Sequence, residues 1–159
     1  MPKSRREATR IPEEVLRAAL KYVEEVRKRY GDRLKLAILY GSYARGDYTP
    51  NSDVDLLIVI DSLPPRIQDR LGELLSVVDS LFIEPHPYTP QEFIDLAKNC
   101  RLTAYDALTY GVTLYMDEEY YLKVKEAFNQ ALKEYNPERT PSGLKLKPQR
   151  PTQTSTTPT

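Results

Sequence analysis

Hydrophobic residues recur along the middle of the chain at the spacings of helices and buried strands. From Pro12, a residue suited to the first helical position, apolar side chains recur every three or four residues as far as Tyr30, and Gly31 supplies a stop signal. Two short, mainly apolar runs over residues 34–40 and 53–60 have the length of buried strands. The pattern therefore predicts one amphipathic helix followed by two strands.

The alternation of helices and strands continues after the second apolar run. Spaced apolar residues from Ile67 to Val78 predict a helix, and residues 79–84 predict a third strand. Pro85 and Pro87 should end that strand, because proline cannot donate a hydrogen bond to a neighbouring strand.

Capping signals define the remaining elements. The segment Thr89-Pro90-Gln91-Glu92 has the form of a capping box and predicts the start of a helix. A second helix is expected to end before Gly111, a short strand to follow over 112–115, and a last helix to begin after Asp117. The predicted fold class is α/β (α+β), with a small mixed sheet of three or four strands flanked by helices.

Charge and composition divide the chain into three parts. Residues 1–10 carry a net charge of +3, residues 11–135 a net charge of −6, and residues 136–159 a net charge of +3. The last part is rich in Pro and Thr and poor in apolar residues, so it buries too little surface to offset the entropy of ordering. We predict a basic N-terminal arm, a domain over 11–135 with a C-terminal helical segment from about 101, and a disordered tail over 136–159. The basic ends would keep the chain in solution or contact an acidic partner.

Composition also argues against several classes of protein. Cys100 is the only cysteine, so no internal disulfide is expected. The longest apolar run, Leu56 to Ile60, is far too short to cross a bilayer. The polar, basic N-terminus does not have the pattern of a signal peptide, which predicts a cytoplasmic protein without membrane partners. The acidic middle part argues against broad nucleic-acid binding.

Two carboxylates at the start of the second predicted strand are the first candidates for chemistry. Side chains alternate faces along a strand, so Asp53 and Asp55 should project on the same side. Two acids on one face of a buried strand repel each other and are costly to desolvate. A cation between them would remove that cost, and carboxylate oxygens are ligands that suit Mg²⁺.

A glycine-containing turn precedes these carboxylates. Gly41 and Ser42 come directly after the first predicted strand. Glycine lets the backbone approach a bulky anion, turn amides can cradle phosphate, and Arg45 could meet a phosphate oxygen. A phosphate-binding turn beside two carboxylates is the arrangement that transfer from an NTP requires, with two Mg²⁺ ions stabilising the attacking and leaving oxygens.

The spacing of these residues resembles a known signature. Gly41-Ser42-Tyr43-Ala44-Arg45-Gly46, followed after five residues by Ser52-Asp53-Val54-Asp55, is similar to the motif of the minimal nucleotidyltransferases in the DNA polymerase β-like superfamily. The resemblance is tight over 36–60 and extends in helix–strand order to about residue 95. It implies the polymerase β-like fold and a third metal-binding carboxylate on a later strand.

Two acids compete for that third position. Asp79 and Glu84 lie at the two ends of the third predicted strand, five residues apart, and therefore point to opposite faces. The stretch after Glu84 resembles the place where the family carries its third acid, so Glu84 is the preferred metal ligand and helper base. His86 would be a general base or, between two prolines, a residue at the rim of a loop.

The resemblance further implies an acceptor and a partner. Minimal nucleotidyltransferases often act as antitoxins of small helical HEPN toxins, in some cases by moving AMP from ATP onto a tyrosine of the toxin. The prediction is therefore NTP-dependent, Mg²⁺-dependent transfer of a nucleotide onto a protein hydroxyl. Two alternatives stay open: a non-catalytic antitoxin that neutralises its partner by contact, and transfer onto a small molecule such as an aminoglycoside.

Overall fold

Helices and strands alternate through the part of the chain that the structure, a computed structural model, describes, residues 11–147. The helices are α1 (Glu13–Tyr30), α2 (Ser42–Arg45), α3 (Ile67–Leu71), α4 (Pro90–Lys98), α5 (Leu102–Tyr110) and α6 (Glu118–Tyr135), with a 3-10 turn at Gly31–Arg33. The strands are β1 (Leu34–Tyr40), β2 (Val54–Ile60), β3 (Ser76–Val78), β4 (Leu81–Tyr88), β5 (Val112–Met116), β6 (Glu138–Thr140) and β7 (Gly143–Lys145). Among the helices of residues 11–147, none has both the length and the apolar composition that a membrane crossing requires.

Five strands form one mixed sheet in the order β3-β4-β2-β1-β5. β1 lies next to β2 and β5 and is antiparallel to both, whereas β2 and β4 are parallel. β3 forms a short antiparallel pair with the start of β4. The mixed α/β fold class is confirmed, but the sheet has five strands where three or four were predicted.

The two faces of the sheet carry separate apolar clusters. Helix α1 packs against one face, where it meets alternate residues of the central strands such as Leu39 and Ile58. Helices α4, α5 and α6 cover the other face, where they meet residues such as Ile38 and Val59. Because β1 and β2 are buried on both faces, their sequences are almost continuously apolar instead of alternating.

The segment between β2 and α4 differs from the sequence prediction. The helix that was expected to reach Val78 ends at Leu71. Residues 76–78 of the same predicted helix instead form β3 and pair with β4. The third strand does not end at Glu84 but continues through both prolines to Tyr88. Within residues 11–147, β4 beyond Ile83 is paired with β2 on one side only. An unpaired outer side is where proline is tolerated in a sheet, since no ladder hydrogen bond is lost there.

The predicted tail also differs in its first part. Residues 138–145 form a hairpin of β6 and β7, and not a disordered segment. Arg139 of this hairpin forms ion pairs with Asp106 of α5, with Nε–Oδ1 and Nη2–Oδ2 distances of 2.8 and 3.0 Å. This anchor to the domain substitutes for the apolar residues that the segment lacks. The rest of the predicted tail, 148–159, and the basic arm, 1–10, lie outside the described residues.

Candidate metal and nucleotide site

Asp55 and Glu84 face each other across two parallel strands. Asp55 of β2 is paired in register with Glu84 of β4, and its neighbour on the other side is Tyr40, the last residue of β1. Asp53 directly precedes β2, two residues before Asp55. The strand register therefore brings the carboxylates of Asp53 and Asp55 close to that of Glu84, about 30 residues later in the sequence, at one end of the sheet.

His86 joins the two facing carboxylates. Its Nε2 atom lies 3.3 Å from Asp55 Oδ1 and 4.0 Å from Glu84 Oε2. One potential ligand atom from each of these three residues lies within 4.8 Å of the other two. All three side chains are partly exposed, so the cluster is open to a ligand from solution.

Negative charge is concentrated at this end of the sheet. The pKa of the Glu84 carboxyl is raised above its ordinary value, first because the group is partly buried and next because the charge of Asp55 lies close by. Asp53 raises the pKa of Glu84 further, and His86 opposes the shift. A divalent cation bound among these carboxylates would relieve the repulsion between them. The donor set, carboxylate oxygens with an imidazole nitrogen, fits a divalent metal ion.

The turn after β1 lies directly against this cluster. Gly41 has a φ of +82°, a conformation that L side chains rarely adopt, and a Cβ atom at this position would lie 2.3 Å from Asp55 Oδ2. Ser42 follows as the first residue of the short helix α2, which ends at Gly46 with a φ of +92°. Glycine is required at position 41 because both the backbone angle and the carboxylate exclude a side chain.

Arg45 forms ion pairs with two acids that do not belong to this carboxylate cluster. Its Nη1 atom lies 3.3 Å from Asp106 Oδ2, and its Nε atom lies 3.3 Å from Asp47 Oδ2. Asp106 is 5% exposed and is also bound by Arg139. A second cavity of ≈ 310 Å³ is lined by Arg45, Asp47 and Arg139, among others. The guanidinium group of Arg45 is thus already paired with carboxylates, and a phosphate would have to compete with them. Nucleotide binding by Arg45 stays a prediction.

A cavity of ≈ 420 Å³ opens beside the carboxylates. Asp53, Glu84 and His86 form its polar end. The remaining lining is mainly apolar and comes from α3, the segment before β3, and β4: Ile67, Leu71, Leu75, Phe82, Pro85, Pro87 and Tyr88. An acceptor group that entered this cavity would reach the carboxylates.

Sequence comparison identifies the domain that carries this site. A family model described as a nucleotidyltransferase domain matches residues 20–106, which include β1, β2, β4 and the carboxylate cluster. The chain belongs to this nucleotidyltransferase family. The family predicted from the Gly-Ser and Asp-x-Asp spacing is thereby confirmed, and with it the fold class.

Three relatives of this nucleotidyltransferase domain come from Methanocaldococcus jannaschii, each provisionally named a protein adenylyltransferase. MJ0604 is 51% identical over 45 residues, which are 28% of this chain and 45% of that protein. MJ1305 is 42% identical over 57 residues, which are 36% of this chain and 39% of that protein. MJ0141 is 39% identical over 93 residues, which are 54% of this chain and 94% of that protein. The chain thus spans less than half the length of the first two relatives and nearly all of the third.

Solved structures with a similar arrangement include two crystal structures of toxin–antitoxin proteins. One, with AMP-PNP, is 18% identical, covers 70% of this chain and 85% of that chain, and has a TM-score of 0.45. The other, a mutant of the toxin–antitoxin MntA–HpeT, is 15% identical with the same coverage and a TM-score of 0.44.

The position of Asp79 separates it from the nucleotidyltransferase site. Asp79 lies in the turn between β3 and β4 with a φ of +53°, and its carboxylate pairs with Lys21 Nζ at 3.0 Å. Glu84 instead stands opposite Asp55. Of the two acids considered, the structure brings only Glu84 to the Asp-x-Asp pair.

His86 is the member of the cluster whose place the sequence did not reveal. Its flanking prolines predicted a loop rim, but β4 continues through them. Residues 84 and 86 then share one face of the strand, because side chains alternate. The Glu84-Pro85-His86 spacing was therefore a signal, and it became readable only once the strand was known to continue.

Proposed function

We propose that this protein transfers a nucleotide from an NTP to a hydroxyl group. The observation that carries the proposal is the register of Asp55 opposite Glu84, directly beside the Gly41 turn. Carboxylates that can hold a metal and a turn that can approach phosphate thus meet at one end of the sheet. Membership of the nucleotidyltransferase family supports the same chemistry.

Each group of the site has an assigned task. Asp53, Asp55 and Glu84 would hold Mg²⁺, two ions in the arrangement common to phosphoryl transfer, and bound Mg²⁺ supplies charge neutralisation at the phosphates. The Gly41–Ser42 turn binds the triphosphate, because position 41 carries no side chain to keep the phosphates away. The apolar lining of the ≈ 420 Å³ cavity receives the acceptor, so that its hydroxyl group lies beside the carboxylates.

The transfer is an in-line substitution at the α-phosphorus of the NTP. The acceptor hydroxyl oxygen forms a bond to the α-phosphorus, and the bond from that phosphorus to the bridging oxygen of the β-phosphate breaks. Pyrophosphate leaves with the bonding electrons. The hydroxyl proton passes to a carboxylate oxygen of Glu84, which stands opposite Asp55 and lines the cavity that would receive the acceptor.

The proposed donor is ATP and the proposed acceptor is a protein. The names of the three M. jannaschii relatives describe protein adenylyltransferases, which supports both choices. The resemblance to minimal nucleotidyltransferases adds a partner: a small helical HEPN-type toxin whose hydroxyl group receives AMP. The protein would then act as the antitoxin of that partner.

A label-transfer experiment tests this function. The purified full-length protein is incubated with Mg²⁺ and α-labelled ATP, alone and with the product of the adjacent gene, and label is followed on each protein. The double variant Asp53→Asn/Asp55→Asn removes the charges at the site. Asp61→Asn, which changes an exposed aspartate at the opposite end of β2, is the matched control.

The outcomes separate three functions. Label on the partner with the wild type and the Asp61 variant, and none with the double variant, supports protein nucleotidylation. A partner bound equally by wild type and double variant, without label, favours a non-catalytic binding module. Label that appears only on added hydroxylated small molecules, such as aminoglycosides, favours a small-molecule transferase.

A further inference from the structure

The position of His86 in β4 places an imidazole inside the carboxylate cluster. His86 is two residues after Glu84 on the same face of the strand, and its register partner, Leu57, is two residues after Asp55. The imidazole therefore lies on the same face of the sheet as the Asp55 and Glu84 carboxylates, two residues further along the strands. The strand pairing itself, and not a flexible loop, sets its distance from them.

The distances around His86 suit a shared metal ion. Ligand atoms bound to one ion at about 2.0–2.2 Å are separated by at most about 4.4 Å, twice the bond length. His86 Nε2 meets this limit with both Asp55 Oδ1, at 3.3 Å, and Glu84 Oε2, at 4.0 Å. A charge-assisted hydrogen bond would draw nitrogen and oxygen to about 2.7–2.9 Å. The 3.3 Å between His86 Nε2 and Asp55 Oδ1 allows a long hydrogen bond when no ion is bound. It is also close to the roughly 3 Å that separates neighbouring ligand atoms around one octahedral ion.

Tyr40 orients the imidazole toward the carboxylates. The rings of Tyr40 and His86 meet edge to face, with centroids 5.4 Å apart and planes at 77°. Tyr40 is 9% exposed and is itself the register partner of Asp55. A buried aromatic ring thus limits the rotation of His86, and the site is organised before a metal binds.

We propose that His86 is a direct ligand of the ion held by Asp55 and Glu84, and that its nitrogen shifts the site's preference from Mg²⁺ toward first-row transition-metal dications such as Mn²⁺. An all-oxygen site suits Mg²⁺, whereas imidazole is a good ligand for transition metals and a poor one for Mg²⁺. The inference rests on the proposed function only in its use of the same carboxylates.

The chain offers an unusually clear test because His86 is its only histidine. Untagged protein labelled with ¹⁵N-histidine carries the label at one side chain. Pulsed electron paramagnetic resonance of bound Mn²⁺ then detects nitrogen coordination, and the expected spectrum changes when ¹⁴N-histidine is replaced by ¹⁵N-histidine. Because the isotope is confined to His86, nitrogen atoms of an added nucleotide do not affect this change.

Two variants make the test specific. In His86→Ala we expect the nitrogen signal to disappear and the dissociation constant for Mn²⁺ to rise roughly tenfold or more, with a smaller change for Mg²⁺. Tyr88→Phe, two residues further along the same face of β4 and also lining the cavity, should leave both constants unchanged. Circular dichroism confirms that each variant is folded.

The results distinguish this inference from the proposed function. An isotope-independent Mn²⁺ spectrum, or equal Mn²⁺ affinity in wild type and His86→Ala, overturns His86 as a ligand even if label transfer proceeds. An isotope-dependent spectrum without label transfer to any acceptor keeps the ligand assignment and removes the transferase function.

Discussion

Gly41 and Asp55 are so close that a Cβ atom on residue 41 would lie 2.3 Å from Asp55 Oδ2. The turn proposed to bind phosphate and the carboxylate proposed to bind metal are thus in direct contact. Neither can be altered in shape without moving the other. A substitution at Gly41 therefore tests the geometry of the carboxylates as well as that of the turn.

Gly41→Ala should therefore abolish most activity. The new methyl group would displace the Asp55 carboxylate, and a displacement of about 1 Å at a reacting centre can lower the rate on the order of 10²-fold. Label transfer under saturating ATP measures this loss. Gly31→Ala is the control, because Gly31 also has a positive φ, +57°, but no atom of residues 11–147 lies within 4 Å of an added Cβ atom. Both variants should lose on the order of 1–3 kcal/mol of stability from backbone strain, and equal activities would contradict the prediction.

Glu84→Gln and Asp79→Asn should differ sharply in activity. Glu84 is proposed as a metal ligand and proton acceptor, so its amide variant should be roughly 10²- to 10⁴-fold slower. Asp79 forms an exposed ion pair with Lys21 and lies outside the carboxylate cluster, so its variant should keep full activity and lose at most about 1 kcal/mol of stability. Turnover of both variants is measured beside their denaturation midpoints. Loss of activity in Asp79→Asn alone would reverse the assignment of the third carboxylate.

Arg139→Ala should destabilise the domain through Asp106. Asp106 is 5% exposed and is paired with Arg139 at 2.8 Å, so removal of the arginine leaves a buried charge with poorer compensation. We expect a loss of about 3 kcal/mol, near the lower end for breaking a buried pair, because Arg45 still contacts Asp106. Urea denaturation measures the change. Lys147→Ala removes an exposed pair with Glu138 near the same hairpin and should cost less than about 1 kcal/mol.

Glu92 should make stability depend on pH in the acid range. Bidentate hydrogen bonds from Arg70, at 2.8 and 2.9 Å, lower the pKa of Glu92 from 4.5 to about 2. A carboxyl whose pKa is lower in the folded state stabilises the fold above its unfolded pKa, and the stabilisation is lost as pH falls through its folded pKa. The free-energy advantage of wild type over Glu92→Gln should therefore be constant above about pH 5 and shrink between pH 4.5 and about 2.

Thermal unfolding across that range tests the linkage. Glu126→Gln changes an exposed glutamate of α6 and serves as the matched control. Its difference from wild type should stay flat over the same window. A flat difference for Glu92→Gln as well would show that the Arg70 contact does not favour the ionised carboxylate.

The sequence by itself determined the central strands, the glycine turn at Gly41 and the first two acids. Continuous apolar runs are typical of strands buried on both faces, and β1 and β2 are such strands. The short spacing from Gly41 to Asp55 falls within a single strand–turn–strand unit, so local pattern was enough to predict the family. The capping box at Thr89 was equally local, and its reciprocal hydrogen bonds are present.

Only the tertiary structure decided what depends on strand pairing. Glu84 and His86 reach Asp55 because β4 runs parallel to β2 in one particular register, and a shift by a single residue would turn both away. The prolines of β4 suggested a strand end, and they are accommodated because no strand of the described part of the chain pairs with the outer side of β4 there. The hairpin at 138–145 is tied to the domain by the ion pair of Arg139 with buried Asp106, 33 residues away in sequence. Contacts of this kind join segments through space, whereas periodicity and composition report only local preferences. The spacing of Glu84 and His86 could therefore be interpreted only after the strand pairing was known.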